Sequence, residues 1–373
     1  MGRAQRAMLV TVAVLLALAM GCGRVPVERP SVPVRPDVLV HLGATHDFLP
    51  GLAWSPDGRY LLYTTYMPVP GEYRRPDAGI VHALGVDHLT ERSLGSAQSM
   101  LVAPEFTSDS REVVLRPTEL PNAVVARDIT TGRSRVLFRG QGGTSIHQTA
   151  LSPDGTLVAS ELVSGTGDDR SSALVLHDLR RDHTAKLGSG REHPDELIRW
   201  LPDGRLLWYR DAPYVGAKVE DWDGLYAAKP PSWALTRVRA LPAGLSPDGK
   251  GVSPDGTWVA GWSGYRETQI RALSLKAHSE ALLAYVEGEM NSAAGCPWSP
   301  DDRWVAFAAT SQSSEEDVTS VFLASTRDHR VVQLLSSTLG EVIGLAWSPD
   351  GHRLAFILGD TIEAVTVPPP TAR

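Results

Sequence analysis

The stretch Leu52-Ala53-Trp54-Ser55-Pro56-Asp57-Gly58-Arg59-Tyr60-Leu61-Leu62-Tyr63 consists of a short apolar segment, a four-residue turn and a second apolar segment. Ser-Pro-Asp-Gly is typical of a type I turn. Proline presets φ at its second position, aspartate tolerates the third, and glycine leaves the turn without a Cβ clash. The flanking segments have the composition of β-strands. The stretch therefore predicts a β-hairpin, and it is the unit that the rest of the chain repeats.

The turn recurs along the whole chain, with successive aspartates 45 to 52 residues apart. A spacing of this size accommodates four short strands and their turns, and it is typical of propellers and solenoids. A Trp, Phe, Leu or Val precedes each aspartate by three positions, and an apolar run follows each turn. Because each aspartate has a turn to stabilise, we interpret all of them as structural. The set is Asp57, Asp109, Asp154, Asp203, Asp255, Asp301 and Asp350.

Two repeats depart from this pattern. The second, at residues 106–110, lacks both the proline and the glycine of the turn. The fifth carries two copies of the motif, at residues 246–249 and 253–256, and only the second copy is followed by an apolar run. We therefore interpret the first copy as an insertion.

The repeats together predict a closed ring. A four-stranded sheet has two apolar faces and cannot bury both alone, whereas sheets packed around an axis bury them and leave only short edges. The seventh repeat offers three strand patterns, and a spare strand pattern at residues 37–42 precedes the first turn. We predict an all-β, seven-bladed β-propeller over residues 37–367. Each blade has four antiparallel strands, and the N-terminal strand closes the last blade.

The motif also carries a family resemblance. Trp54-Ser-Pro-Asp-Gly and Trp347-Ser-Pro-Asp-Gly resemble the repeats of the TolB-like (PD40) β-propellers, which are related in architecture to WD40 proteins. The resemblance covers about residues 37–367. It implies a propeller that is used for binding, and it does not imply any one ligand.

The N-terminus predicts export. Arg3 and Arg6 precede an uncharged, mostly apolar run at residues 8–20, which is too short for a spanning helix of about 20 residues. The run ends at Ala19-Met-Gly-Cys22, which resembles a bacterial lipobox. Residues 1–22 are thus predicted to be a lipoprotein signal peptide, with lipid on Cys22. The protein would be anchored to the cell membrane or outer membrane, its propeller on the extracytoplasmic side. The alternative is a secreted protein with an incidental cysteine.

Short segments flank the predicted propeller. Residues 23–36 are rich in proline, which favours extended polyproline II and predicts a tether of roughly 40 Å. Residues 368–373 form a C-terminal tail. Neither segment has the composition of a domain.

Composition narrows the choice of partners. The formal charge is −7 for the whole chain, and it becomes −9 when the two arginines of the signal are removed. An acidic domain disfavours nucleic acid as a partner, because phosphate binding needs a basic surface. The second cysteine, Cys296, is predicted to be a small buried residue, against the alternative of a reactive thiol. We expect a monomer.

The propeller topology predicts which loops share a face. The Ser-Pro-Asp-Gly turns emerge on one face, and longer, irregular connections emerge on the other, where function tends to lie. Two of the long loops carry aromatic and charged residues typical of interfaces. Alternatively, these aromatics pack the loops onto the blades. The candidates are Tyr66, Tyr73, Arg74 and Arg75 in one loop, and Tyr214, Asp221, Trp222 and Asp223 in the other.

A second candidate group lies at the starts of the inner strands, near the axis of the same face. His46, His147, Glu289 and Glu341 are placed there by the repeat register. Acidic groups and histidines around a central opening could hold a cation or a basic group. The alternative is that they are solvated charges of the funnel.

The chain contains no nucleophile elbow, no His-Glu-x-x-His, no phosphate loop and no Cys-x-x-Cys. The main hypothesis is therefore a lipid-anchored, non-catalytic propeller without metal or cofactor, which binds an envelope protein or peptide through its long-loop face. The alternative is a metal-assisted lyase or hydrolase that acts on a sugar or lactone in the central funnel, because propeller enzymes assemble sites without local motifs.

Overall fold

The computed structural model describes residues 27–29, 34–41, 48–66, 78–98, 104–165, 171–190, 197–210, 224–234, 236–242, 244–312 and 316–367. Every regular secondary-structure element in these ranges is a β-strand. Within the same ranges, nothing helical is long and apolar enough to cross a membrane.

Two strands precede the first blade, and four strands make up each of the first three blades. They are β1 (Val27–Glu28), β2 (Asp37–His41), β3 (Phe48–Trp54), β4 (Tyr60–Tyr66), β5 (Ala78–Gly85), β6 (Thr90–Gln98), β7 (Glu105–Phe106), β8 (Glu112–Leu115), β9 (Ala123–Asp128), β10 (Ser134–Arg139), β11 (Ser145–Leu151), β12 (Leu157–Ser164), β13 (Ser171–Asp178) and β14 (His183–Gly190).

Blades 4 to 6 contain four strands each, and the C-terminal part of the chain supplies three more to blade 7. They are β15 (Leu197–Trp200), β16 (Leu206–Arg210), β17 (Gly224–Ala228), β18 (Thr236–Ala240), β19 (Ser246–Val252), β20 (Trp258–Ser263), β21 (Glu267–Ser274), β22 (Glu280–Glu287), β23 (Glu289–Met290), β24 (Trp304–Ser311), β25 (Val318–Ser325), β26 (Val331–Ser337), β27 (Val342–Trp347), β28 (Arg353–Leu358) and β29 (Thr361–Thr366).

The strands form seven sheets in chain order, so the predicted seven-bladed propeller is confirmed. Within each blade, successive strands pair antiparallel from the axis outward. Each strand reverses direction, so the Ser-Pro-Asp turns all emerge on one face, which we call the turn face. The connections between second and third strands, and those between blades, emerge on the opposite face, which we call the loop face.

The ring closes in blade 7, as predicted. The N-terminal strand β2 is the fourth strand of this blade and pairs antiparallel with β29, with Asp37 opposite Ala364 and His41 opposite Thr361. Leu39 and Val40 pack into the apolar cluster shared by blades 7 and 1. Head and tail of the propeller therefore share one sheet.

The core is divided among the blade interfaces. Seven clusters of buried apolar side chains each draw on two consecutive blades, including the pair formed by blades 7 and 1. Phe307 of blade 6, for example, is fully buried against Ile270 of blade 5. Cys296 is fully buried in the same cluster, which confirms its predicted burial. Each blade thus buries an apolar face only through its neighbour.

Side-chain hydrogen bonds hold the repeated turns. In the first, the Ser55 hydroxyl donates to Asp57 Oδ1 (2.6 Å) and accepts from the Tyr60 backbone N–H (2.9 Å). In all seven turns, the backbone N–H two residues after the aspartate donates to its Oδ1. The structural role of the seven aspartates is therefore confirmed. The hydroxyl bond from the preceding Ser or Thr is the main cause that lowers the pKa of Asp109, Asp154 and Asp350.

The recurring tryptophan joins blade to blade. Each of four tryptophans donates its indole N–H to a backbone carbonyl of the inner-strand segment of the preceding blade. The pairs are Trp54 to Ala346 O (3.1 Å), Trp200 to Ala150 O (3.1 Å), Trp298 to Gly251 O (2.5 Å) and Trp347 to Pro297 O (3.1 Å). In all four pairs the accepting residue lies four positions before the turn aspartate of its own blade. The tryptophan thus completes the apolar interface with a directional bond.

The first motif copy of the fifth repeat, interpreted as an insertion, lies inside the blade, and the register of its strand shifts between Pro247 and Val252. Residues 246–249 form the start of β19, the inner strand of blade 5, where Ser246 lies opposite Trp262 and Pro247 opposite Gly261. A Cβ on Gly261 would lie 2.5 Å from Ser246 O. Glycine at position 261 therefore lets the two backbones approach, and the copy extends the strand instead of forming a turn.

Part of the predicted tether lies on the propeller. β1 pairs parallel with β26, with Val27 opposite Val331 and Glu28 opposite Val332, and so adds a fifth strand to the outer edge of blade 6. Arg330 lies 3.8 Å from the Glu28 carboxylate. Two residues of the proline-rich segment are therefore strand rather than spacer.

Candidate functional site

The candidate site lies beside the inner strand of blade 6, which is as short as β7, the inner strand of blade 2. β23 contains two residues, with Glu289 opposite Thr310 and Met290 opposite Ala309 of β24. Gly288, just before it, has a φ of 111°, and a Cβ there would lie 2.8 Å from Thr310 O. Glycine is therefore needed to bring the chain against β24 and to place Glu289 at the loop face.

After β23 the chain leaves the regular ladder and bends towards blade 7. The Asn291 N–H donates to Ala308 O (3.0 Å), and the Ala294 N–H then turns back to Asn291 O (3.0 Å). Ala294 O in turn accepts from the Leu345 N–H of blade 7 (3.1 Å). The bend from 291 to 297 therefore fills the space between the two blades towards the turn face and leaves a cleft above it.

The cleft has a volume of about 360 Å³ and lies on the loop face. Its described lining comes from blade 6 and from the connection that enters blade 7. Four carboxylates belong to this lining: Glu289, Glu316, Asp317 and Glu341. No Lys, Arg or His belongs to it in the part of the chain that the structure describes. The cleft is therefore an acidic recess.

Asn291 also lines this recess. Asn291 is only 8% exposed, and its side-chain Nδ2 has no hydrogen-bond partner among the described residues. An unsatisfied buried N–H donor costs about 1–3 kcal/mol, so a position of this kind needs an explanation. A ligand with a hydrogen-bond acceptor would supply one.

The site brings together two of the predicted axial residues. Glu289 and Glu341 line the same cleft, whereas His147 lies on β11 in blade 3 and Tyr66 at the end of β4 in blade 1. The other predicted candidates lie outside the described residues: Tyr73, Arg74, Arg75, Tyr214, Asp221, Trp222, Asp223, His46 and Cys22.

The described carboxylates do not form a metal cage. No three His, Cys, Asp or Glu side chains in the described ranges come close enough together to hold a metal ion. The acidic recess therefore has the charge to attract a cation without a compact ligand set for a metal in this part of the chain.

A second polar group lies inside the ring, and it joins blades. The Arg116 guanidinium donates to Ile146 O of blade 3 and to Gln98 O of blade 1 (3.2 Å). Burial lowers the pKa of Arg116 to about 10, and nearby Glu161 partly offsets this effect. Burial also raises the pKa of Glu105, and Arg199 partly offsets that rise. These contacts are typical of buried structural polar groups rather than of an open site.

A third group superficially resembles a catalytic triad. The ring of His82 lies 2.9 Å from Thr65 Oγ1 through Nε2 and 2.7 Å from Glu91 Oε1 through Nδ1, and the Tyr63 hydroxyl donates to Glu91 Oε2 (2.6 Å). Thr65 is only 4% exposed. Because a substrate would have no access to this hydroxyl, we assign the network to the stability of blade 1.

Comparisons with known proteins bear on the fold. No protein-family model matches the chain, and no curated protein matches it in sequence. Solved structures do match. An oligogalacturonate lyase from Vibrio parahaemolyticus has a TM-score of 0.63 at 11% identity and covers 93% of this chain and 99% of its own.

Two further solved structures are similar to this chain over most of its length. An oligogalacturonate lyase in complex with manganese has a TM-score of 0.63 at 11% identity, with 92% of this chain and 99% of its own covered. A chain of the mitotic checkpoint complex has a TM-score of 0.54 at 15% identity, with 92% and 95% covered. At these identities the likeness supports the propeller fold alone.

Proposed function

We propose that the protein is a lipid-anchored, non-catalytic β-propeller of the TolB-like kind, which binds an envelope protein or peptide through its loop face. The observation that carries this proposal is the acidic cleft between blades 6 and 7, where Glu289, Glu341 and the buried Asn291 amide meet. The seven-bladed ring supplies a rigid support for such a recess.

The remaining parts of the proposal come from the sequence. Lipid on Cys22 would hold the exported monomer at the cell membrane or outer membrane, with its propeller on the extracytoplasmic side. The net charge of −9 after removal of the signal disfavours nucleic acid as a partner. A binding role needs no metal and no cofactor.

Site-specific photocross-linking in the native cell tests the binding role. A photoreactive residue at Gln312 or Thr338 on the cleft should give one defined adduct with an envelope protein. The same group at Lys276, exposed on the turn face, is the matched control and should not give that adduct. The Cys22→Ala variant should leave the membrane fraction. If the turn-face position gives the same adduct, or if no cleft position gives any, the loop face is not the binding surface.

A metal-assisted lyase or hydrolase is the second candidate. It is favoured by the two oligogalacturonate lyases that share the fold over more than nine-tenths of this chain, one of them in complex with manganese. Carboxylate oxygens are suitable manganese ligands. However, the described residues offer no compact set of three, and an acidic recess repels an acidic sugar.

Turnover distinguishes the two candidates. The purified protein, incubated with oligogalacturonate with and without added Mn²⁺, should leave the oligosaccharide intact in chromatography. Shortened products that depend on Mn²⁺ and disappear in Glu289→Gln would replace the binding role with the enzymatic one.

A further inference from the structure

We propose that the cleft between blades 6 and 7 receives a basic side chain, Arg or Lys, presented by a peptide of the partner. This inference rests on the proposed binding function and names the chemistry of the group that is bound. It follows from the charge of the recess, from the Asn291 amide and from the size of the cleft.

The charge selects a cation. Glu289 of blade 6 and Glu341 at the entry to blade 7 both line the cleft, and Glu316 and Asp317 come from the loop after β24. The described lining contributes four negative charges and no positive one. A group that enters between them gains attraction from several sides, and like-charged ligands are repelled.

The Asn291 amide narrows the class of cation. Its Nδ2 needs a hydrogen-bond acceptor, and it lies in a residue that is more than nine-tenths buried. A metal ion or a polyamine carries no acceptor for an N–H donor, whereas a peptide offers a carbonyl beside every side chain. A basic residue within a peptide therefore satisfies the carboxylates and the amide at once.

The size and construction of the recess agree with this ligand. About 360 Å³ lies at the lower end of the range for small-molecule sites, roughly 300–1,000 Å³, and is room for one long side chain and its neighbouring peptide groups. Gly288 and Gly340, both with positive φ, precede Glu289 and Glu341 directly. The backbone at each of these two glutamates thus follows a glycine in a conformation that disfavours other residues, which reduces the backbone ordering that binding requires.

The test uses three probes on the full propeller, measured by calorimetry or ligand-detected NMR. They are the blocked tripeptide Ala-Arg-Ala, the same peptide with neutral citrulline in place of arginine, and N-butylguanidinium, which keeps the single guanidinium charge and lacks the peptide carbonyl. We expect the arginine peptide to bind best. The citrulline peptide should lose most of the affinity, and N-butylguanidinium should bind about threefold to tenfold more weakly than the arginine peptide, as expected for one lost hydrogen bond.

Variants locate the binding. Glu289→Gln and Glu341→Gln should each weaken binding of the arginine peptide about threefold to tenfold, and Asn291→Ala should lower the affinity of the peptide to that of N-butylguanidinium. Asp87→Asn, which removes an exposed carboxylate on the turn face, is the matched control and should change nothing. Raising NaCl from about 0.01 M to about 1 M shortens the screening length from about 30 Å to 3 Å and should weaken binding steeply.

Equal affinity for the arginine and citrulline peptides, or an equal effect of Asp87→Asn and Glu289→Gln, would overturn the inference. If the cleft cross-links a partner and Glu289→Gln leaves that adduct unchanged, only the basic-residue inference fails. If the cleft gives no adduct in the cell, the proposed binding function fails as well.

Discussion

We predict that adjacent aspartates in the turn of blade 6 have opposite effects on stability. Asp301 accepts from the Ser299 hydroxyl (2.6 Å) and from the Arg303 N–H (3.2 Å). Its equivalents accept the same two bonds in every blade except blade 4, where Leu201 stands in place of the serine. Asp302 occupies the position that is glycine in five other turns, with a φ of 58°, and its Oδ1 is buried without a partner among the described residues. Burial, followed by the charge of Asp255, raises the pKa of Asp302.

We predict that Asp302→Asn stabilises the protein. Asparagine tolerates positive φ and removes the charge that burial penalises. The free energy of unfolding at neutral pH should rise by about 0.5–1 kcal/mol, the usual size of such a gain, in chemical denaturation. Because the pKa of Asp302 is raised in the folded state, ionisation destabilises the protein above its unfolded pKa near 3.8. The advantage should therefore vanish below that pH.

Asp301→Asn is the matched control. It keeps the shape of the side chain and weakens the two turn hydrogen bonds, so it should lower the free energy of unfolding. If both variants change stability in the same direction, the distinction between the two aspartates is wrong.

The turn aspartates were predictable because their contacts are local. Each aspartate accepts from the backbone N–H two residues after it, just beyond the motif, and six of the seven also accept from the hydroxyl two residues before it, inside the motif. Asn291 was not predictable, because its importance depends on burial between strands and on the absence of a described partner. The nearby Gly288 is the one signal in the sequence, since an isolated glycine before a strand can mark a close backbone approach.

At the scale of the elements, the tryptophan bonds are predicted to hold neighbouring blades together. Trp347→Phe keeps an aromatic ring in the blade 6–7 interface and removes the bond to Pro297 O. We expect the free energy of unfolding to fall by about 1–2 kcal/mol, from the lost hydrogen bond and some lost packing. Blade 2 already has Phe106 at the equivalent position, so the fold should be retained.

Trp208→Phe is the control that distinguishes the effect of a lost indole hydrogen bond from the effect of a smaller aromatic ring. Trp208 is equally part of a blade core, yet its indole N–H is buried without a partner in the described structure. Its replacement removes ring volume and no hydrogen bond, so the loss in chemical denaturation should be smaller, about 0.5 kcal/mol. Equal losses in the two variants would show that the indole bond contributes nothing.

Strand patterns in the sequence predicted most of the observed strands. They failed at blade 5, where the same four-residue motif occurs once in a strand and once in a turn. The sequence Ser-Pro-Asp-Gly forms a turn at residues 253–256 and part of strand β19 at residues 246–249. Local preference alone favours the turn in both places. At the first copy, Gly261 on the neighbouring strand leaves room for Ser246 and Pro247 to pair, and periodicity does not contain this tertiary contact.

For the whole molecule, ring closure is predicted to depend on β2. A chain that begins at Asp37 keeps this strand, whereas a chain that begins at Gly43 leaves β29 as an open edge in blade 7. We expect the first chain to unfold as the full protein does. The second should lose about 2–3 kcal/mol from half-buried Leu39 and Val40 alone and should aggregate through the open edge.

Denaturation and light scattering of the two truncated chains check this prediction. Equal stability and equal solubility would mean that blade 7 does not need its N-terminal strand.

The architecture itself was predictable, because counting the repeats gives the number of blades, and the missing fourth strand of the last repeat points to the spare strand at the N-terminus. Of the cleft, only the carboxylates Glu289 and Glu341 were predictable from the sequence. Its depth was not, because it depends on the irregular bend after β23.

The strand β1 also sets how the ring would stand on a bilayer. β26 runs from the turn face to the loop face, and β1 is parallel to it, so Val27 lies at the turn-face end of the rim of blade 6. If Cys22 carries the proposed lipid, only residues 23–26 separate it from β1, a reach of at most about 17 Å. The propeller would then be attached to the membrane at one point, the turn-face end of the outer edge of blade 6. The acidic recess, on the opposite face, would point away from the membrane and be accessible to proteins in the aqueous phase.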